Sequence, residues 1–500
     1  MKFKSVWMPQ ILAVTTAAIF FAAFLQSALP RIFYPYDLDF LEDSVLMQSE
    51  RIAQGLPVYL APNANFNPHV YMPLYFWLGA VLLKTFGTGF TPLRLLSLGS
   101  TVATMVLIYW IAYRECRQRW IGFSSGGLFI AGYAVTGFWY ELARVDSLFI
   151  ALTLGGFALA VYSDRSDRKM FLSAIVFALA AFAKQSGFVV AAGLALCLFL
   201  LRGRRAWIFL VSFCTLTIIP MLAINWATGG WFFYHIFYIG SADPTDIARL
   251  YNFVNIDILT KIAGLSVLLM FTIIWGVSKE KLKFFLNQPW VIGIGLAVLI
   301  SALGRYRVGG NVNDLMPGYT FLCLAPAIFA KLTFPAAAGP ENRPEESFMQ
   351  ERSWALAAFI LIQFYIGRYS PESHVPDLAT RLSGDHLIQQ IASVPGPVLV
   401  MMHPYYSILA GKEPSTQIAT LWYVRHRGEL PIPDDFIDRI KNHYYSEIIS
   451  DESFFETQTD LHTLITTYYH QAQTLDPNLS PPTDTGVVVQ PRVIYLPSQP

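Results

Sequence analysis

Directly after its first apolar segment, the chain carries four carboxylates: Asp37, Asp39, Glu42 and Asp43. Ionised groups so close to a bilayer surface repel one another and resist losing water, so a chain that keeps them there is expected to use them. One of them could act as a general base, and Asp39 with Glu42 could hold a divalent cation, Mg or Mn, that neutralises a phosphate. The structural alternative is a solvated helix N-terminus, because residues 44–53 have helical character.

The composition is that of a membrane protein, since 54% of the residues are hydrophobic and only 14% are charged. It predicts a polytopic protein of the inner or plasma membrane. The net charge of +1 offers no general basic field for nucleic acid. The four cysteines stand singly, without the paired spacing of a zinc or redox site, and are interpreted as structural.

About eleven apolar windows are long enough to cross a bilayer, and they predict an all-α membrane domain over residues 1–370. The windows fall near residues 8–29, 93–113, 120–140, 147–163, 170–186, 187–201, 206–226, 259–277, 290–303, 316–334 and 354–369. The first is longer than a usual signal-peptide core and is expected to remain as an uncleaved span. One further segment, Met72 to Phe86, would reach only about 22 Å as a helix, so it either crosses or lies at the interface.

Loop charges decide between these options, because short cytoplasmic loops collect Lys and Arg. If Met72 to Phe86 does not cross, four basic clusters share the side of Lys2 and Lys4. These clusters lie at residues 114–119, 165–169, 202–205 and 279–283. We therefore expect about eleven spans, a cytoplasmic N-terminus and an interfacial helix within a first outer loop at residues 30–92.

The same topology places residues 371–500 outside the membrane, where the loss of long apolar runs predicts a small α/β domain. Strands are expected at 397–402 and 447–450, with an amphipathic helix at 434–442. From about residue 476 the chain becomes rich in Pro and Thr. This predicts a loose tail with one edge strand at 487–496.

The predicted topology also brings cations to the face that carries the carboxylates. Lys184, Arg305 and Arg307 are candidates to hold a phosphate, and Arg144 is a weaker one because Asp146 could occupy it. Lys184 could instead snorkel at the end of a span, and the two later arginines could be ordinary loop charges. Outer loops are expected to be poor in Arg, however, and the neighbouring Gly-Gly turn lets backbone approach a ligand closely.

An aromatic run surrounds His235 in the outer loop at 226–257. Such runs more often form a belt at the membrane interface. The alternative is a lipid-facing gate that places His235 near the phosphate.

Several short motifs, taken in order, resemble those of one family. They are Gly55-Leu-Pro-Val-Tyr59, the Tyr-Met-Pro-Leu-Tyr sequence within Asn67 to Trp77, the Arg-x-Asp motif within Tyr140 to Leu148, Ala183-Lys-Gln-Ser-Gly187, Gly309-Gly-Asn-Val-Asn-Asp314, Leu409 to Pro414 and Glu447 to Asp451. With the carboxylates after the first span, they resemble membrane glycosyltransferases of the GT-C fold. The branch is the bacterial one similar to dolichyl-phosphate-mannose protein mannosyltransferases and lipid A aminoarabinose transferase.

Two positions depart from the family pattern. Its adjacent Asp-Glu pair or Gly-Glu-Gly is Asp-Phe-Leu-Glu-Asp here, so the catalytic carboxylate cannot be assigned to one position, and its Tyr-Pro-Pro-Leu is Tyr-Met-Pro-Leu. As candidates for the catalytic carboxylate, Asp39 and Glu42 rank ahead of Asp43 and Asp37. Tyr71 and Tyr75 of the matching motif join the binding candidates.

The resemblance implies transfer of a sugar from a polyprenyl-phosphate donor to an extracytoplasmic acceptor, with inversion of the anomeric centre. A carboxylate would deprotonate the acceptor while cations hold the departing phosphate. The sugar, and whether the acceptor is a glycan, a lipid or a protein, are not specified by the sequence.

Two functions of other classes are alternatives. A transporter would line a pathway through the bilayer with polar residues, usually in two related halves. No internal repeat is visible in this sequence, and its polar groups gather at one membrane face. A non-catalytic assembly protein could use the outer domain to dock partners.

Overall fold

The structure is a computed structural model that describes residues 7–164, 166–281, 283–334, 346–451 and 459–498. Lys2, Lys4 and Arg165, which contribute to the predicted topology, lie outside the described residues. The described chain is mostly helical and carries one four-stranded sheet near its C-terminal end.

Helices dominate the first 370 residues, and each predicted apolar window contains one. They are α1 Met8–Ile32, α2 Phe40–Ala53, α3 Leu74–Phe86, α4 Phe90–Cys116, α5 Arg119–Val135, α6 Asp146–Val161, α7 Asp167–Ala183, α8 Ser186–Arg202, α9 Arg205–Ala227, α10 Trp231–Phe233, α11 Ile247–Asn252, α12 Ala263–Glu280, α13 Lys283–Asn287, α14 Pro289–Tyr306, α15 Met316–Leu322, α16 Ala325–Thr333 and α17 Glu346–Ile366. Two of them, α10 and α11, continue as π-helical turns over Tyr234–Ile239 and Phe253–Lys261.

Six described segments are long and apolar enough to cross a membrane: Met8–Ile32, Phe90–Cys116, Arg205–Ala227, Ala263–Glu280, Pro289–Tyr306 and Val312–Thr333. Shorter apolar helices include α3 and α6. The predicted fold class, an all-α membrane domain followed by a small α/β domain, is confirmed. The count of eleven spans and the interfacial position of α3 stay predictions.

Arg94 of α4 fixes the start of the segment at residues 30–92, the predicted first outer loop. Its buried guanidinium donates to the backbone carbonyls of Arg31, Tyr34 and Tyr36 at 2.7–2.9 Å. These bonds hold the chain as it leaves α1, and α2 then begins with Asp39 as its N-cap residue. The carboxylate cluster therefore stands on a tightly bonded turn rather than in an open loop.

The C-terminal domain combines helices with a mixed sheet. Its elements are α18 Leu378–Ser393, β1 Val398–Val400, α19 Pro404–Leu409, α20 Ile418–His426, α21 Asp434–Lys441, β2 Glu447–Asp451, α22 Thr459–Tyr468, β3 Tyr469–Thr474 and β4 Pro491–Pro497. The strand order is β1-β2-β4-β3, with β1 parallel to β2 and the other pairs antiparallel. The strands and the amphipathic helix predicted near residues 397, 447 and 434 are thus present.

Two predictions for the end of the chain are wrong. Strand β4 pairs with both β2 and β3, so it is an interior strand rather than an edge strand. The chain after residue 476 is not a loose tail up to residue 498, because the N–H groups of Asp484 and Thr485 donate to the carbonyl of Leu38 at 3.0 and 2.8 Å. The prediction rested on the Pro- and Thr-rich composition of this segment. Composition is local and does not indicate hydrogen bonds between distant parts of the chain.

The C-terminal domain and the first outer loop share one apolar core. Leu41 and Ala64 of the loop are buried in the same cluster as Leu399 and Ile448 of the sheet. The domain is therefore packed directly onto the segment that carries the carboxylates.

Candidate active site

A cavity of about 670 Å³ lies where the first outer loop, the α7–α8 turn, the α14–α15 turn and the C-terminal domain meet. Its polar and aromatic lining includes Asp39, His69, Tyr71, Trp139, Arg144, Lys184, Gln185, Asp243, Arg249, Arg307, Asn313, Asp314 and Tyr423. Five residues singled out in the sequence thus surround one space: Asp39, Tyr71, Arg144, Lys184 and Arg307.

Asp39 is the carboxylate of the N-terminal cluster that reaches this cavity. Its Oδ2 accepts a hydrogen bond from Nη1 of Arg144 at 2.5 Å. Burial raises the pKa of Asp39 to about 7, because loss of water outweighs the opposing effect of Arg144 and the Glu42 charge adds to the rise. A carboxyl group with a pKa near neutrality can both accept and release a proton under physiological conditions.

The Arg-x-Asp motif divides between two partners. Arg144 pairs with Asp39 and donates to the Tyr71 hydroxyl at 2.7 Å. Asp146 instead accepts from Nζ of Lys184 at 2.6 Å. The expected pairing of Asp146 with Arg144 is therefore wrong. Asp146 contributes to the site by holding Lys184.

Two arginines of the cavity lining lack a carboxylate partner among the described residues. Arg307 donates to the carbonyl of Gly240 at 2.9 Å, and Arg249 donates to the carbonyls of Arg305 and Gly310. Their bonds to neutral carbonyls leave both positive charges uncompensated. Gly310 permits this turn, because a Cβ there would lie 2.1 Å from the carbonyl oxygen of Gly304.

Arg305 does not line the cavity. Its Nε pairs with Oδ2 of Asp257 at 2.9 Å, and the Asp257 side chain is fully buried. The assignment of Arg305 as a phosphate holder is corrected, since this ion pair joins α14 to the π-helical turn that follows α11.

Glu42 accepts hydrogen bonds at both of its carboxylate oxygens. Nε and Nη2 of Arg94 donate to its two carboxylate oxygens at 2.9 and 2.6 Å, and the N–H groups of Leu38 and Ala143 donate to them at 2.8 and 2.6 Å. The side chain is completely buried and lies outside the cavity lining. The structure therefore gives Glu42 a positioning role at the start of α2.

Asp43 and Asp37 face the C-terminal domain. Asp43 accepts from the N–H of Tyr405 at 3.1 Å, and Asp37 is bonded to Nδ1 of His403 at 2.8 Å and to the Tyr406 hydroxyl at 2.7 Å. His403 also contacts Asp451 at 3.2 Å. Asp43 is thus corrected from a catalytic candidate to a residue that fastens the domain to α2.

Two further binding candidates lie away from the cavity. The Tyr75 hydroxyl is buried against the carbonyl of Leu93 and the hydroxyl of Ser97, both at 2.8 Å. Nε2 of His235 is bonded to the carbonyl of Leu60 at 2.9 Å. These contacts support structural roles, so neither side chain is placed near a phosphate.

The residues present do not favour the predicted divalent-cation site. Asp39 and Glu42 each hold a different arginine. Among the described residues, no group of three or more His, Cys, Asp or Glu is arranged to hold a metal ion.

Sequence reasoning missed several residues of the lining, namely His69, Trp139, Asp243, Arg249 and Tyr423. Arg249 could have been found, because it is an arginine in a predicted outer loop, as Arg307 is. Tyr423 could not, since it comes from the C-terminal domain and no local pattern connects it to the first outer loop.

The chain matches no protein-family model and no curated protein. Solved structures do match. ArnT of Cupriavidus metallidurans bound to undecaprenyl phosphate has a TM-score of 0.59 at 12% identity, with 97% of each chain covered. The same protein in its apo state has a TM-score of 0.58 at 13% identity, covering 96% of this chain and 97% of that one.

A second solved protein is the oligosaccharyltransferase of Archaeoglobus fulgidus tethered to an acceptor peptide. It has a TM-score of 0.55 at 12% identity and covers 99% of this chain and 75% of its own. The chain therefore has the GT-C fold of these membrane proteins, as its motifs predicted.

Proposed function

We propose that the chain is an integral-membrane glycosyltransferase that moves a sugar from a polyprenyl-phosphate donor to an acceptor outside the membrane. One observation carries this proposal: a buried carboxylate with a raised pKa, Asp39, and two uncompensated cations, Arg249 and Arg307, line the same cavity. The fold it shares with ArnT, whose solved structure holds undecaprenyl phosphate, supports the same donor chemistry.

Asp39 serves as the general base. As the acceptor oxygen or nitrogen attacks the anomeric carbon, its proton passes to the Asp39 carboxylate. The bond from that carbon to the phosphate oxygen breaks, and the phosphate leaves with the electron pair. Because nucleophile and leaving group stand on opposite faces of the carbon, the configuration inverts. Arg144 favours the charged form of Asp39, which is the form that accepts the proton.

The leaving phosphate is held by the cations of the lining. Arg307 and Arg249 present forked donors that suit phosphate oxygens, and Lys184 adds a point charge shared with Asp146 and Asp314. Val189, Ile236, Phe237, Ile300 and Leu303 complete the lining with apolar surface suited to the first isoprene units of a lipid tail. A phosphate beside such a surface fits a lipid-borne donor better than a soluble nucleotide sugar.

The test is transfer by purified protein in lipid, using radiolabelled polyprenyl-phosphate sugars and mixed glycan, lipid and peptide acceptors. Asp39→Asn should lower the rate at least about 100-fold, the usual worth of a general base. Asp167→Asn is the matched control, because Asp167 forms an exposed pair with Arg205 at 2.8 Å outside the cavity. Equal rates for wild type and Asp39→Asn would refute the assignment of the base, and solute flux without consumption of donor would favour a transporter.

A further inference from the structure

His69 is a buried polar side chain that the mechanism above does not use. It is 2% exposed and lines the cavity. Neither of its ring nitrogens has a hydrogen-bond partner among the described residues. A buried polar group without a partner destabilises the fold, so one that lines a cavity is expected to serve a ligand.

The position of His69 is fixed by its surroundings rather than by its ring nitrogens. Its backbone N–H donates to Oε1 of Gln48 on α2 at 3.3 Å. The ring packs edge-on against Tyr71, with centroids 4.5 Å apart, and lies 6.0 Å from the ring of Tyr423. Both tyrosines line the same cavity, so the imidazole is held beside the rings that form part of the cavity wall.

A second group of the lining has the same property. Nε1 of Trp139 is buried without a hydrogen-bond partner in the described part of the chain. The Trp139 ring lies 5.4 Å from the guanidinium carbon of Arg144, and the Tyr71 ring lies 5.5 Å from it. Two neutral polar groups of the lining, His69 and Trp139, therefore have no hydrogen-bond partner among the described residues.

The chemistry of these groups suits a hydroxyl better than a phosphate. Burial, together with the nearby charge of Arg144, lowers the pKa of His69 to about 3, so the imidazole is neutral at physiological pH. A neutral imidazole offers one donor and one acceptor, and the indole of Trp139 offers one donor. A sugar hydroxyl also donates and accepts, whereas a phosphate is best held by cations.

We infer that His69, assisted by Trp139, binds hydroxyl groups of a sugar in the cavity and thereby determines which carbohydrate the protein accepts. This inference rests on the proposed function, since it requires that a glycosyl group enter this cavity. The hydroxyl can belong to the donor sugar or to a carbohydrate acceptor. His69 is a specificity residue in either case, because it binds a hydroxyl of the sugar and takes no part in the proton transfer.

The experiment measures binding of undecaprenyl phosphate, with and without an attached sugar, to the purified full-length chain in lipid nanodiscs. His69→Leu should weaken binding of the sugar-bearing lipid about tenfold, the equivalent of one to two hydrogen bonds, and leave binding of the bare lipid phosphate unchanged. His69→Asn should restore part of the affinity, because its amide both donates and accepts. His443→Asn is the control, since Nε2 of His443 contacts the carbonyl of Tyr468 at 2.9 Å outside the cavity.

Thermal unfolding separates this role from a structural one. Because His69→Leu removes an unpartnered polar group, its Tm should equal or exceed that of the wild type. A lower Tm with unaltered sugar binding would overturn the inference. If His69→Leu binds the donor as the wild type does but has a raised KM for a carbohydrate acceptor, the hydroxyl belongs to the acceptor.

Failure of the specificity role of His69 can be distinguished from failure of the proposed function. If the wild type transfers sugar and His69→Leu matches it in donor binding and acceptor KM, the specificity role is wrong and the proposed function stands. If the wild type neither binds undecaprenyl phosphate nor transfers sugar from it, both are wrong.

Discussion

Asp39 and Arg144 form a buried ion pair in the cavity wall, with 2.5 Å between Oδ2 and Nη1. The pair joins the start of α2 to the segment between α5 and α6, and Arg144 extends the contact to the Tyr71 hydroxyl at 2.7 Å. Burial raises the pKa of the Asp39 carboxyl to about 7, although the arginine opposes that effect. The result is a base poised near pH 7.

Transfer is therefore expected to rise with pH through about 7. Below this pH Asp39 is protonated and cannot take the acceptor proton, and above it the carboxylate form dominates. The measurement is kcat/KM for the acceptor between about pH 5 and 9, with donor saturating. Glu50→Gln, a change on α2 outside the cavity lining, should keep the same midpoint. A rate that falls as pH rises through neutrality would exclude Asp39 as the base.

Glu42→Gln is expected to damage folding rather than catalysis. Removing one partner of the fully buried Arg94–Glu42 pair leaves a charge unpaired and costs about 3–5 kcal/mol. The measurement is thermal unfolding together with transfer per folded molecule. If Glu42→Gln keeps the wild-type Tm but loses transfer, Glu42 returns as the catalytic residue.

The contrast between Asp39 and Glu42 shows where sequence reasoning stops. Both stand at the start of α2, and local pattern ranked them together. Their roles are separated by partners far along the chain, Arg144 at a separation of 105 residues and Arg94 at 52. Apolar windows are local features of the sequence, so the helices could be predicted from them. Ion-pair partners are brought together by the tertiary fold and could not be predicted.

The same limit explains the outer cations. Arg305 and Arg307 are two residues apart and indistinguishable by pattern, yet Arg305 is held by buried Asp257 while Arg307 faces the cavity. Helix α14 ends between them at Tyr306, and that ending decides which side chain turns toward the cavity.

This pair gives a matched test of phosphate binding. Arg307→Gln should weaken binding of undecaprenyl phosphate about tenfold and reduce the salt dependence of binding, because it removes an uncompensated charge. Arg305→Gln should instead lower the Tm, since it leaves Asp257 with the half-exposed Lys261 as its remaining partner. Binding titrations at two ionic strengths and thermal unfolding measure both effects. The reverse pattern would assign the phosphate to Arg305.

Gly486 tests whether the C-terminal domain shapes the site. It has a φ of +76°, and a Cβ there would lie 3.0 Å from Trp139 and 3.3 Å from Oδ1 of Asp39. Gly486→Ala should therefore lower transfer about tenfold or more by displacing these side chains, in addition to a backbone strain of about 1–2 kcal/mol.

Gly411→Ala is the control for that strain. Its φ is +74°, and no heavy atom lies within 4 Å of the position of its Cβ. It should lose comparable stability and keep its transfer rate per folded molecule. Equal transfer by the two variants would show that the C-terminal turn does not order Asp39 and Trp139.

Helix α3 is expected to end on the side of the membrane on which it begins. Helix α3 has 13 residues, a length of about 20 Å, which is short against a hydrocarbon core of about 30 Å. In a chain with its cysteines replaced, a membrane-impermeant thiol reagent added outside should label Lys84→Cys and Glu413→Cys but not Arg119→Cys. Labelling of Lys84→Cys only after the membrane is permeabilised would make α3 a span. It would also reverse the side assigned to every later loop, and a further segment between Asp39 and Lys184 would then have to stay on one side, because both residues line the same cavity.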